Sequence, residues 1–323
     1  MAFSDIKAQD TAVQTLVRAL ESRHVHHAYR FQGPPGVGKE MAAFALAQAL
    51  VCERGEPLAC GACSACRRAI TFSGEEPRVP LHPDVVLVQR GLYPSSVISA
   101  SEATGISVEQ VRRMVLGRAG YPPHEGRALV FIVRDAEELT PQAANALLKT
   151  LEEPGDRTHF VLLTSRPSRL LDTVLSRTLA VRFGPLPDAL IAQILTAHGA
   201  DPAVAPVAQG SASLALELSE EDAMRARTEF VDSAFEAIDA PDLASAIGLA
   251  DARPQGRDAL KEQLAFLAHA FATRGRRSVV EDPAAAERAA RCYKVVLGTL
   301  AEVERNVQPA LALEAMVSRL RRA

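Results

Sequence analysis

One stretch constrains this chain more than any other: Gly33-Pro34-Pro35-Gly36-Val37-Gly38-Lys39. It reads G-x-x-x-x-G-K, a phosphate-loop pattern. Such a loop works directly after a buried strand and at the start of a helix, where glycines let backbone N–H groups turn toward phosphates. The flanking residues supply that setting. Ala28-Tyr29-Arg30-Phe31 is a short apolar strand, and Met41 to Val51 is an alanine- and leucine-rich helix. The position after the lysine is Glu40, where these loops carry the Ser or Thr that helps hold Mg²⁺. A carboxylate can ligate a metal, but it also repels polyphosphate. At about 5 Å and an effective dielectric near 20, one such pair of charges costs on the order of 3 kcal/mol. The loop is built like a nucleotide site and then disarmed. Gly33, Gly36, Gly38 and Lys39 are its phosphate-facing residues, a vestigial set through which weak nucleotide binding stays open.

Strands and helices go on alternating behind the loop. Asp84–Val88 reads as a buried strand, and residues 107–116 as a helix opened by Ser107 and Gln110 in capping-box spacing. Residues 128–133 are continuously apolar, as in a parallel sheet covered on both faces. Thr140-Pro141 supplies an N-cap and an N1 proline. The helix behind it carries Ala144, Leu147, Leu148 and Leu151 and stops at Pro154-Gly155. Residues 160–164 form a further strand. The pattern predicts an α/β domain with a parallel sheet and helices on both faces. Past residue 184 strand signals stop. Residues 187–218 read as a small helical unit, and the alanine-rich remainder as helices broken near Pro241, Pro254, Gly275 and Pro283.

Four of the five cysteines crowd together as Cys52, Cys60, Cys63 and Cys66. Two overlapping C-x-x-C steps and one cysteine from a helix end can wrap a tetrahedral Zn²⁺. The alternative is a set of reduced, unliganded surface thiols. Four thiolates leave no open coordination position, so the metal would be structural. Cys292 reads as a small core residue. The net charge of −3 gives no footprint of a protein that grips nucleic acid alone. No apolar run approaches a membrane span, and Met1-Ala2-Phe3-Ser4-Asp5 lacks a basic-plus-apolar signal. A cytoplasmic location is expected.

His27-Ala28-Tyr29, the cysteine knuckle, His82-Pro83-Asp84, Asn145 through Pro154, Leu171 through Arg177 and Asn306 through Glu314 follow a known order. In it the chain resembles the delta-prime subunits of the bacterial DNA polymerase III clamp loader, in the AAA+ group. The resemblance implies an AAA+ core over 1–184 with a zinc knuckle at 52–66. A small helical lid over 185–219 and an all-α collar domain over 220–323 follow. Gamma/tau subunits share the pattern but hydrolyse ATP. They keep Ser or Thr where this chain has Glu40, Asp-Glu where it has Arg134-Asp135, and a lid arginine where it has Gly210-Ser211-Ala212-Ser213. Three separate losses fall on hydrolysis, and they favour the delta-prime type.

Ser176-Arg177 resembles the family's arginine finger, although the next residue is Thr178 where the family usually has Cys. The resemblance implies that Arg177 serves a neighbour's ATP site; by itself, it could equally be a surface arginine paired with a carboxylate. The implied role is a subunit without catalysis of its own in a DNA-directed DNA polymerase holoenzyme. It would sit with gamma/tau and delta in a hetero-pentamer that opens the sliding clamp and places it on primed DNA. Two rivals remain: an active gamma/tau-type ATPase and a zinc-dependent nucleic-acid-binding module. His24, His26 and His27 are expected to cap or pack, His82 to order a loop, and Lys149, Glu152 and Glu153 to form a solvated helix face. Arg274, Arg276 and Arg277 are expected as a basic cluster between helices.

Overall fold

The computed structural model describes residues 2–98, 105–240, 244–252, 256–305 and 307–323. The expected breaks at Pro241 and Pro254 and the motif residue Asn306 lie outside the described residues. The chain divides into two compact units, Met1–Leu190 with Gly210–Ser213, and Ile191–Gln209 with Leu214–Ala323.

In the first unit, α1 (Asp10–Glu21) buries Ala12, Leu16 and Leu20, a four-residue spacing that makes one helical stripe. Strand β1 (Ala28–Gln32) leads through the phosphate loop into α2 (Lys39–Val51), which is buried nearly all round. Helix α3 (Ser64–Ile70) closes the cysteine knuckle, and β2 (Val85–Val88) is fully buried. Helices α4 (Ser95–Ile98), α5 (Val108–Val111) and α6 (Gly117–Ala119) precede β3 (Leu129–Val133). Then come α7 (Pro141–Glu152), β4 (Thr158–Thr164), α8 (Asp172–Leu175) and β5 (Leu179–Arg182). The five strands are parallel in the order β2-β3-β4-β1-β5. The parallel sheet is thus as expected, with β4 inserted beside the phosphate-loop strand. Phe131 and Phe160 stack at 5.1 Å between centroids within a core that also holds Val111, Val115, Leu147 and Leu151.

Two local expectations need correction here. Residues 107–116 are not one regular helix: Ser107 caps α5, but Arg112–Leu116 form a π-turn. Val111, Val115 and Ala119, each four apart, lie on the buried face across this turn. Strand β5 was not legible in the sequence. It is an edge strand in which Val181 alone is buried, so no apolar run marks it, and only its pairing with β1 reveals it.

The second unit is helical: α9 (Asp188–Ala197) leads into it, and α10 (Ala212–Leu218), α11 (Glu221–Asp239), α12 (Ala244–Asp251), α13 (Arg257–Ser278), α14 (Pro283–Glu304) and α15 (Pro309–Leu320) follow. Its core gathers Leu260, Leu264, Leu267, Phe271, Cys292, Val296, Leu313 and Met316, so Cys292 is a core residue. Pro283 opens α14 as expected. Gly275 does not break the chain. It lies inside α13, where a Cβ would come within 3.3 Å of the Ala289 Cβ, so its role is close helix packing. Arg274, Arg276 and Arg277 accordingly ride on the end of α13, with the Arg274 guanidinium 5.6 Å from the Phe235 ring centre.

Candidate functional site

The phosphate loop turns from the end of β1 into α2, and its lysine folds back onto the loop. Lys39 is buried, and its Nζ donates to the Gly33 carbonyl at 2.6 Å, the Pro34 carbonyl at 2.5 Å and Ser165 Oγ at 3.2 Å. Burial pulls its pKa down, against the carboxylates of Glu137 and Asp135. Burial also pushes the Asp135 carboxyl up, helped by Glu137 and Glu138. Glu40 forms an ion pair with Arg134, whose other arm donates to Gln89 Oε1 at 2.7 Å. An arginine at the end of β3 therefore neutralises the carboxylate that replaces the usual hydroxyl.

The loop is also covered from within its own unit. The Ala212 N–H donates to the Gly36 carbonyl at 3.1 Å. A Cβ on Gly36, whose φ is +66°, would lie 2.2 Å from Ser213 Oγ and 2.5 Å from Ser211 Oγ. Only glycine fits under that segment.

Arg177 stands at the opposite end of the sheet. It follows α8 and precedes β5, whose Leu179 pairs with Tyr29 near the start of β1, whereas the loop follows the end of β1. In a parallel sheet those ends are separated by the strand length, about 3.3 Å per residue. Arg177 therefore does not face this chain's own loop. It is ion-paired with Glu152 at the end of α7, and its Nη1 donates to the Thr173 carbonyl at 2.9 Å and Ser176 Oγ at 3.1 Å. A cavity of about 360 Å³ opens beside it, lined by His26, His27, Glu152 and Leu179 among others.

The histidines cap and pack. His27 Nε2 lies 2.9 Å from the Leu151 carbonyl, and its pKa is lowered by burial and by neighbouring His26. His82 is buried and its Nδ1 accepts from the Asp84 N–H at 3.1 Å. Asp84, which sequence reading passed over as the first residue of a strand, is the stronger anchor. Its carboxylate accepts from the N–H groups of His124, Glu125 and Gly126 at 2.6–2.9 Å.

The cysteines converge. Cys52 ends α2, Cys63 caps α3 and Cys66 lies in its first turn. The four sulfurs lie within 4.8 Å of one another, and Cys60 and Cys66 are 3.9 Å apart. A tetrahedron with metal–sulfur bonds of about 2.3 Å has edges of about 3.8 Å, so the cluster can hold a metal ion. Backbone N–H groups of Cys60, Cys63 and Cys66 point at the sulfurs of Cys52, Cys60 and Cys63 at 3.3–3.5 Å. The Cys63 N–H holds the Cys60 thiol down at about 6, against burial, while burial pushes the Cys66 thiol up. Cys52, Cys63 and Cys66 are buried, unlike surface thiols.

Residues 8–187 match the family described as DNA polymerase III, delta subunit. The chain belongs to that family, the clamp-loader group its motifs resemble. It is 34% identical over 199 residues to the DNA polymerase III subunit delta' of Bacillus subtilis, covering 59% of this chain and 53% of that one. It is also 34% identical over 178 residues to the subunit tau of Escherichia coli, covering 55% and 24% respectively. The matches thus span about half or less of these relatives. A solved gamma subunit-related protein of Thermotoga maritima aligns over 97% of this chain and 99% of that one, with TM-score 0.49 and 16% identity. No described helix is long and apolar enough to cross a membrane.

Proposed function

We propose that this chain is a delta-prime-type subunit of the DNA polymerase III clamp loader that does not hydrolyse ATP itself and donates Arg177 to the ATP site of an adjacent gamma/tau subunit. The observation that carries this reading is the state of the phosphate loop. Glu40 stands where a hydrolytic site needs a Mg²⁺-organising hydroxyl, and it is neutralised by Arg134. The position of Arg177 supports the second half. It lies away from its own loop and on the β5 edge of the sheet, and a guanidinium offers a planar, permanently charged fork to phosphate oxygens.

In this reading the chain comprises an AAA+ core over 1–184, a lid over 185–219 and a collar domain over 220–323. It works in the cytoplasm with gamma/tau and delta in a hetero-pentamer, on the sliding clamp and primed DNA. Cys52, Cys60, Cys63 and Cys66 would hold Zn²⁺, fixing the knuckle between α2 and α3 and taking no part in hydrolysis. The test is reconstitution of gamma/tau and delta with and without this chain. Clamp loading on primed DNA should require it, while the isolated chain should show no ATP turnover. Steady Mg²⁺-dependent hydrolysis by the isolated chain, abolished by Lys39→Ala, would instead establish the gamma/tau-type alternative.

A further inference from the structure

The three arginines Arg23, Arg127 and Arg157 come from distant parts of the chain, yet they line one cavity of about 320 Å³. Arg23 follows α1, Arg127 precedes β3, and Arg157 precedes β4. The cavity therefore lies at the N-terminal ends of the strands, opposite the phosphate loop. All three are exposed, and among the described residues none of the three guanidiniums makes a hydrogen bond or ion pair. That is unlike Arg68, Arg118, Arg134 and Arg177, each of which has a carboxylate partner. A single acidic residue, Glu56, shares the wall. The lining is thus cationic in a chain whose net charge is −3, and like charges on one wall repel one another unless an anion lies between them.

The seat of one arginine is shaped by a glycine. Gly55 has a φ of +66°, and a Cβ there would fall 1.6 Å from Arg127 Nη1, so the guanidinium rests in space that only glycine leaves free. We infer that this cavity is an anion site for a ligand bearing consecutive phosphate groups, bound by the forks of Arg23, Arg127 and Arg157. Planar guanidiniums match phosphate oxygens two at a time. The volume is at the lower end of the range of about 300–1,000 Å³ for ligand pockets, suited to a short run of phosphates. None of the three arginines belongs to the phosphate loop, the cysteine cluster or the Arg177 edge, although Gly55 and Glu56 lie in the knuckle, and the inference does not depend on the function proposed above.

The experiment is calorimetric titration of the full chain with inorganic tripolyphosphate, alongside anisotropy with a short labelled oligothymidylate. Saturable one-to-one binding is expected, weakening as salt rises. Arg127→Ala and Arg157→Ala should each weaken it by about tenfold or more, the loss expected for one charge-assisted contact. Arg127→Lys should fall between them and the parent, and Arg169→Ala, at an exposed residue outside the cavity, should bind as the parent does. Arginine-dependent binding of tripolyphosphate alone identifies a free polyphosphate or nucleotide tail as the ligand. The same dependence with oligothymidylate but not with tripolyphosphate would make the ligand a nucleic-acid backbone and overturn the inference. The inference is overturned if neither probe binds, if the arginine variants bind unchanged, or if Lys39→Ala abolishes binding.

Discussion

If Arg177 serves a neighbour's ATP site as proposed, its ion pair with Glu152 is a resting position, and cutting that tie should raise the activity of that site. The pair is partly solvated, with the arginine side chain 32% and the glutamate 47% exposed. Exposed ion pairs of this kind contribute at most about 1 kcal/mol, so Glu152→Ala should increase the population of recruitable Arg177 by no more than about fivefold. The bonds to Thr173 and Ser176 remain and keep the gain below that ceiling. Arg177→Ala acts in the opposite direction and on a different scale, because an arginine finger contributes about 10³-fold or more at the site it serves. Single-turnover ATP hydrolysis by the reconstituted complex, with clamp and primed DNA, separates the variants. Glu152→Ala should be equal to or faster than the parent, with the difference shrinking in salt. Arg177→Ala should lose one site's hydrolysis and most clamp loading, and Arg177→Lys should not restore it. If Glu152→Ala slows hydrolysis as much as Arg177→Ala does, the pair is a structural brace. Parental rates for Arg177→Ala would mean that the arginine plays no part in catalysis.

Elemental analysis of chain purified without chelator should find about one zinc per chain, and Cys60→Ser or Cys66→Ser should lower both zinc content and the protease resistance of the knuckle. Zinc-free protein with four freely titratable thiols would exclude the metal. ATP turnover by the isolated chain should be undetectable and unchanged by Lys39→Ala, because Glu40, tied to Arg134, stands where Mg²⁺ needs a hydroxyl. Asp84→Ala should cost about 2–4 kcal/mol in urea unfolding, since it removes a buried carboxylate that three loop amides now bond. Burial pushes the Asp84 carboxyl up, but the N–H groups of Glu125, Gly126 and His124 hold it below its usual value. Its contribution is therefore fully present above the unfolded-state value of about 3.9 and is lost as pH falls through the lower folded value. A parent with no extra acid sensitivity relative to Asp84→Ala would contradict that assignment.

Much of the fold was written locally. Glycines at 33, 36 and 38 shape a phosphate loop between a strand and a helix, and continuous apolar runs at 129–133 and 160–163 suit strands of a parallel sheet covered on both faces. Thr140-Pro141 starts a helix because a hydroxyl and a missing N–H satisfy its first turn; the Thr140 Oγ1 accepts from Ala143 as that pattern demands. Four cysteines within fifteen positions announced a cluster before any distance was known. These are short-range signals, in which neighbouring residues determine backbone conformation or chelation.

What the sequence did not contain was pairing across long separations. Strand β5 has one buried residue and exists because β1 lies beside it. The π-turn at Arg112–Leu116 has no mark in the local sequence, which reads as an ordinary helix. Gly275 reads as a helix breaker until Ala289 is seen packed against it. The meeting of Glu40 with Arg134, of Arg177 with Glu152, and of Arg23, Arg127 and Arg157 around one cavity depends on which strand ends lie together. Tertiary structure alone decides this, because burial of the apolar faces sets the strand order and the loops then carry their charged residues wherever those ends fall.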